Sequence, residues 1–581
     1  MYQVDNIILI LYFVVIVCIS LLISRRARKS ADSFFLGGKQ LPWYVLGISG
    51  MASFIDLSGT AFQVAFFFLL GAKGFWVGFQ GNLCLMLSFL MIFMGKWLNR
   101  SGVMTNAELI SLRFGKGRDG KIARIVTVVS ILVIVIAFLG YFFVGSVKTL
   151  PDYIPFFSNP KVTALFFFGV VALITMLSGF QGVVFTDLLQ SLLILGLIIY
   201  IGVMSFNTLT PEYVAEYASA EWTSFFPTDG VWTQNLPDAY ASMNPLGVLL
   251  IFWLFSNVLQ GFALPFDAWT SQRYYAARNE RESSLIAWQW ISLYSLRFVL
   301  MASLGILAVS IAGKIGDPEM ALSQVILNLI PVGVKGVLIA AIIAAALSTT
   351  NSFVNSSASY FVNDIYHPYI KPDASEKQLV RVSLITTGVL LLIGAAIGWF
   401  FESISLIWGW ITMGLLTGTL PPNILKWFWS RLNGIGYVFG VAGGVIAAFI
   451  SQIFFPDEPV YVIFIFVFIV STLTTVIGNF FGKPTDENVL KEFYTRIRPF
   501  GSWGPVKKLV DKDLVKEAER ENRRDLLLLL PAILWQISLF YMWTAIMFKR
   551  YVDVAVCIAI IAVTSVILYK YWYKNLKKPQ L

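Results

Sequence analysis

About fifteen long, almost unbroken apolar stretches alternate with short polar connections along this chain, and that rhythm predicts its architecture. The first nine fall near Asn6 to Ile23, Trp43 to Leu70, Phe75 to Leu98, Ile122 to Val147, Val162 to Gly179, Val183 to Met204, Leu246 to Leu264, Ser284 to Ile311 and Val337 to Val362. Six more lie near Val382 to Phe401, Ile404 to Leu425, Gly434 to Phe455, Val460 to Phe481, Leu526 to Phe548 and Val552 to Tyr571. Each approaches the roughly 20 residues that a hydrocarbon core of about 30 Å demands of a helix. The runs are continuous rather than alternating, which excludes transmembrane strands. An all-α polytopic membrane protein is therefore expected.

Composition agrees: 57% of the 581 residues are apolar and 13% charged, which excludes a water-soluble domain of this size. The net charge of +10 follows the positive-inside rule. Arg25, Arg26, Arg28 and Lys29 follow the first stretch, and alternate connections carry Lys96, Arg100 and Arg113, then Arg273, Arg278 and Arg281, then Lys371, Lys377 and Arg381, then Lys426 and Arg431. The expected orientation in the cell's plasma membrane puts the N-terminus outside and the C-terminus in the cytoplasm. The partners this implies are the lipid bilayer and small solutes, with no nucleic acid and with a monomer sufficient for function. Cys18, Cys84 and Cys557 lie within apolar runs, and His367 is the only histidine, so a disulfide framework, an imidazole metal site and histidine-dependent catalysis are disfavoured. The charged segment 483–524 reads most simply as a solvated cytoplasmic amphipathic stretch. The segment Phe206 to Pro245 is either a lid or a plain crossover.

Two stretches break the rules of a membrane helix. Gly47 to Thr60 mixes Gly, Ser and the carboxylate of Asp56 into mid-membrane, where a broken helix would free carbonyls for a hard cation such as Na⁺. A kinked small-residue packing face is the alternative. In the ninth stretch, Ser348 and Thr349 lie one turn after Ala345, and Ser352 follows one turn later. Such hydroxyls often bond back to their own helix, but this cluster is denser than that habit requires.

These residues, with Phe34-Phe35-Leu36-Gly37-Gly38-Lys39, Asp56-Leu57-Ser58-Gly59, Gly179, Thr186-Asp187-Leu188-Leu189-Gln190, Gln272-Arg273 and Asn363-Asp364-Ile365-Tyr366, resemble the sodium/solute symporter family over roughly residues 5 to 500. That family includes bacterial proline, sialic acid and sugar transporters. The resemblance implies a leucine-transporter-like core of two inverted five-helix repeats, with one helix before it and four after. The corresponding divisions are 1–40 for the first helix and its basic loop, 41–204 for the first repeat, 205–245 for the outer connection and 246–428 for the second repeat. Two accessory helices occupy 429–482, a charged loop 483–524, and two final helices with a basic tail 525–581. The second to eleventh stretches become core helices 1 to 10.

The implied Na⁺ ligands are the carbonyls of Phe54, Leu57 and Ala345 and the hydroxyls of Ser348 and Thr349, with Asp56 close by to balance charge. Asp187, on core helix 5, matches the acid that some members use for a second cation, with Ser352 present. Asn351 stands where a hydroxyl is often found, so Asp187 either serves a second ion or simply hydrogen-bonds core helix 8.

For the solute, Trp290, Tyr294 and Arg297 recur at i, i+4 and i+7 in the eighth stretch, core helix 7. Arg297 either clamps an anionic group of the solute or pairs with an internal acid such as Asp56. Ser256, Asn257 and Gln260 on core helix 6 are spaced to read hydroxyls, and Ser58 is a further candidate contact. Ala263 and Tyr294 stand where sugar-carrying relatives place an aromatic gate and a basic residue, departures that count against simple hexose recognition. The expected activity is sodium-coupled import of a sugar, sugar acid, carboxylate or amino acid by alternating access, with Na⁺ as coupling ion. A proton-coupled carrier on the same scaffold and a solute-binding membrane sensor are the rivals. An enzyme is not expected, because the acids are dispersed and the lone histidine is peripheral.

Overall fold

The computed structural model describes residues 3–27, 41–81, 83–154, 157–227, 230–263, 268–455 and 458–576. The motif Phe34 to Lys39 therefore lies outside the described residues. Those residues form helices and connections with no strand, apart from one isolated bridge between Trp429 and Ser502. Twelve of the described helices are long and apolar enough to cross a membrane, and Gln3–Ile19, Trp43–Ala52 and Pro160–Met176 are shorter apolar ones. Gln3–Ile19 belongs to the continuous helix Gln3–Ala27 and Pro160–Met176 to Pro160–Thr208, whereas the second and third stretches are broken by the chain itself.

Core helix 1 consists of Trp43–Ala52 and Leu57–Leu70, separated by four non-helical residues. The second piece starts there because the Asp56 carboxylate accepts from the Gly59 amide at 2.6 Å, a side-chain cap for an otherwise orphaned donor. The first piece can sit against core helix 7 because Gly50 has no side chain: a Cβ there would lie 2.4 Å from the Trp290 ring. Core helix 7 is itself split into Glu280–Tyr294 and Arg297–Val309. Core helix 2 is the most fragmented, running through Gly74–Val77, a 3₁₀ turn Gly78–Gln80, then Met86–Phe89, a π-turn Leu90–Met94 and Gly95–Ser101. Core helix 8, Val334–Phe361, is buried along nearly its whole length.

The first helix, Gln3–Ala27, does more than pack. Its Asp5 is fully buried, and Oδ1 accepts from the amides of Gly333 at 2.8 Å and Gly336 at 2.9 Å, capping core helix 8 from another element. Gly333 has φ +86°, and a Cβ on Gly336 would meet the Asp5 backbone at 2.8 Å, so both positions favour glycine.

The segment 483–524 is amphipathic with most of its charged side chains exposed, as expected, but its apolar face is docked on the core. Its helix Glu487–Ile497 buries Leu490, Phe493, Tyr494 and Ile497, and Trp503 is fully enclosed, donating to the Trp427 carbonyl at 2.8 Å. Arg113 lies among the rings of Phe114, Phe493 and Trp503 while donating to the carbonyls of Lys426 and Trp429 at the end of core helix 10. The alternating charges find partners: Lys96 bonds Glu521 and Asp525, and Arg100 bonds Glu280 and Glu521. At the opposite end the 205–245 connection is docked rather than open. Lys73 pairs with Glu221 at 2.7 Å, Trp76 donates to the Phe225 carbonyl, and Trp222 fills the space over Gly71.

Removing the cap on core helix 8 should be measurable. Asp5→Ala leaves two buried amides without their acceptor and is expected to lower stability by about 1–2 kcal/mol. Thermal melting of the purified protein should show the lower midpoint for Asp5→Ala and a smaller loss for Asp5→Asn, which retains a carbonyl acceptor.

Candidate solute and sodium site

The interruptions of core helices 1, 2 and 7 meet at one cavity, whose lining includes Phe54, Asp56, Gln80, Tyr294, Arg297 and Thr349. Arg297, 1% exposed along its side chain, pairs with Asp56 at 3.1 Å. The same Nη2 donates to the Thr60 hydroxyl at 3.1 Å, while Nη1 donates to the Phe54 carbonyl at 2.7 Å and to the Tyr294 hydroxyl. Of the two readings of Arg297, the structure therefore holds the internal ion pair. The supposed stripe also divides. Core helix 7 breaks after Tyr294, so Tyr294 and Arg297 line the cavity, whereas Trp290 is buried against Gly50 and Phe54.

The other solute candidates separate in the same way. Asn257 and Gln260 line the cavity, with Asn257 held by the carbonyls of Phe79 and Trp253 and Gln260 by the Ser256 hydroxyl. Ser58 does not line it: its hydroxyl donates to the Tyr141 carbonyl at 3.1 Å, and the side chain packs on Gly145 of core helix 3, Arg118–Thr149. Sequence reasoning missed Gln80 and Trp408. Both line the cavity, and neither the amide atoms of Gln80 nor the indole nitrogen of Trp408 has a hydrogen-bond partner among the described residues. The available signal was Gln80 between Gly78 and Gly81 in an otherwise apolar run.

The sodium candidates divide between two cavities and the Asp187 contact. Leu57 and Ala345 border one small cavity together with Asp56 and Thr60. Phe54 and Thr349 border the large one. On core helix 8, Thr350, Ser356 and Ser357 bond back to carbonyls of their own helix. Ser348 and Thr349 do not. Ser348 donates to Asp187 at 2.5 Å, and the buried Thr349 hydroxyl has no partner among the described residues. The Phe54 carbonyl, by contrast, already accepts from Arg297.

The second-cation candidates surround a residue that charge counting had assigned to a loop. Arg273, fully buried on the short helix Ala268–Tyr275, donates through Nη2 to the hydroxyls of Ser53 at 2.5 Å, Ser49 at 3.0 Å and Ser352 at 3.2 Å. Asp187 lies 3.8 Å from that nitrogen and accepts from Ser49. Ser53 and Ser352 touch at 2.8 Å across core helices 1 and 8. Asn351 turns away and accepts from Thr175. Above this cluster Trp269 stacks on Phe353 at 3.7 Å, closing the cavity floor.

Interrupted helices around a central, partly polar cavity define a membrane transporter of the leucine-transporter-like class. The chain belongs to the sodium:solute symporter family, whose model matches residues 34–444. It is 27% identical over 76% of its length to the sodium/glucose cotransporter of Vibrio parahaemolyticus, of which it covers 84%. It is 26% identical to the sodium/myo-inositol cotransporter of Canis lupus familiaris, over 76% of this chain and 66% of that one. Its fold is similar to a solved substrate-bound, outward-open Na⁺-coupled sialic acid symporter, with a TM-score of 0.66, 22% identity and coverage of 84% of this chain and 99% of the other. Sodium-coupled symport of a small solute, with no enzymatic step, is thus the activity.

The Asp56–Arg297 pair should reveal itself in a double-mutant cycle. Removing either partner strands a charge in a largely enclosed site, so Asp56→Asn and Arg297→Gln should each cost about 3–5 kcal/mol. The double variant should lose clearly less than the sum of the two. Additive losses in thermal unfolding would show the two groups to be uncoupled.

Proposed function

We propose that this symporter imports a neutral, hydroxyl-rich solute together with one Na⁺. The solute reading rests on the cavity's charge and its unmet hydrogen bonds. Asp56 and Arg297 cancel each other, so a lone anion or cation finds no unpaired counter-charge in their pair. Gln80 and Trp408 offer three N–H donors and a carbonyl acceptor in a cavity also lined by the aromatic rings of Trp269, Phe138 and Phe353. A ring bearing hydroxyls on its edge and C–H groups on its faces meets both demands. The relation to glucose and myo-inositol cotransporters supports this class.

The ion sits between the break of core helix 1 and core helix 8, held by Leu57, Ala345, Ser348 and Thr349 with Asp56 nearby. The unpartnered Thr349 hydroxyl is the observation that carries this placement, because a buried hydroxyl without a partner is costly unless a ligand uses its oxygen. A second ion at Asp187 is disfavoured, since the Arg273 guanidinium already supplies positive charge to its hydroxyls and Asn351 is committed to Thr175. One ion is sufficient: moving it through about 100 mV contributes roughly 2.3 kcal/mol, enough for about fifty-fold accumulation of a neutral solute. The basic connections support an N-terminus outside and a C-terminus inside the plasma membrane, and the monomer contains every residue of the site.

Purified protein should melt at a higher temperature in NaCl than in KCl, with sugars and polyols adding a further sodium-dependent rise that carboxylates and amino acids do not produce. Thr349→Ala should raise the sodium concentration needed for half the effect about tenfold while leaving the melting point in KCl unchanged. An unaltered sodium requirement would remove Thr349 from the ligand set, and stabilisation by carboxylates alone would overturn the neutral-solute reading.

A further inference from the structure

The break in core helix 2 is completed by a side chain from far outside the ten-helix core. Gln536 lies on the helix Lys512–Met547, beyond the segment 34–444 that defines the family, and is fully buried. Its Nε2 donates to the carbonyls of Leu83 at 2.6 Å and Cys84 at 3.1 Å, and its Oε1 accepts from the Ser88 hydroxyl at 2.6 Å. One amide thus ties the interruption itself to the helical turn that follows it. The chain there is held in an uncommon conformation, with Cys84 at φ +46°. The residues on this short stretch, Gln80, Gly81, Cys84 and Met86, all face the solute cavity.

Gln536 is part of a row. Phe540 and Trp543 follow at i+4 and i+7 and lie on the same helical face. Phe540 packs edge-on against Phe298 and tilted against Tyr294, with ring centroids 5.2 and 6.0 Å apart. Trp543 donates to the Ser295 hydroxyl at 3.1 Å, in the break of core helix 7. A single face of a C-terminal helix therefore buttresses, from behind, the two interruptions that carry Gln80 and Arg297.

We infer that Gln536 is a positioning residue of the solute site, fixing the broken segment of core helix 2 so that Gln80 and Cys84 face the cavity. Apolar packing alone does not require an amide bonded three ways at this one place; a break whose carbonyls must be aimed does. The inference rests on the solute's occupying this cavity and not on its chemical class.

Gln536→Met keeps the side-chain volume and removes both donors, and Gln536→Asn keeps an amide but withdraws it by one methylene, so that one serves if the other does not reach the membrane. The first measurement needs no solute: alkylation of Cys84 by N-ethylmaleimide, followed by peptide mass spectrometry, with Cys18 as the internal reference. Cys84 is expected to react at least fivefold faster in the variant, with the Cys18 rate unchanged. Equal Cys84 rates overturn the proposal. The second measurement is uptake into proteoliposomes with myo-inositol as probe, where KM should rise at least tenfold while half-maximal sodium moves less than twofold. A lower maximal rate at unchanged KM would mark a merely structural role and overturn the proposal. If the unmodified protein does not carry myo-inositol, that result counts against the polyol reading alone, and the alkylation rates decide the role of Gln536.

Discussion

A backbone group released from a helix at bilayer depth has no water to bond, so every interruption must be answered by another part of the protein. The whole site follows from that constraint at residues 53–56. Asp56 caps the second half of core helix 1, Arg297 takes the Phe54 carbonyl, and Ser53 reaches both Ser352 and Arg273. Each answer recruits a polar side chain into a region that would otherwise be apolar, and each recruit needs its own partner. Arg297 is tolerable only because Asp56 is there, and the pair leaves the cavity electrically balanced. The gap that remains, with an unpartnered Thr349 hydroxyl on one wall and the broken helix on the other, is where a small cation can supply what the protein does not.

Much of this was legible in the sequence, for physical reasons. Apolar run length marks membrane helices because the bilayer sets a length, and Gly47 to Thr60 stood out because small and charged residues are rare at that depth. The cluster on core helix 8 was readable because Ser348 and Thr349 are more hydroxyl than self-bonding needs. The Trp290–Tyr294–Arg297 stripe failed because helical spacing presumes an unbroken helix, and this one breaks between Tyr294 and Arg297. The 483–524 segment is the amphipathic, largely exposed stretch its charges suggest, and what stayed hidden is the docking of its apolar face and far charge partners. Alternating charge has the same pattern whether it faces water or a buried partner, and the partners of Glu521 and Asp525 are Lys96 and Arg100, more than four hundred residues away. Arg273 was counted as a loop cation because positive-inside bookkeeping cannot distinguish an arginine at the membrane edge from one that has turned inward.

Asp5, Gln536 and the 483–524 segment share a logic. All lie outside the matched segment 34–444, and all satisfy helix ends or breaks that lie within it. An inverted-repeat core that keeps its helices discontinuous cannot satisfy every break from its own ten helices. Peripheral helices make up the difference, and in doing so they acquire a hold on the positions of the residues around the cavity.

The balance of energies at the floor of the cavity bears on how a single ion can move so large a structure. That floor consists of the Ser53–Ser352 contact, the three hydroxyls bonded to Arg273 and the Trp269–Phe353 stack. Neutral hydrogen bonds contribute a net of about 0.5–1.5 kcal/mol each and charge-assisted ones about 1.5–3. Exchanging these contacts for bonds to water would therefore cost a net few kcal/mol. That is the scale of the roughly 2.3 kcal/mol that one Na⁺ contributes per 100 mV. Ser348 ties core helix 8 to that floor, since its hydroxyl donates to Asp187, which lies beside Arg273. On the sodium placement proposed above, an ion drawing on the Ser348 oxygen would act on a carboxylate that also bonds Ser49 and lies beside Arg273.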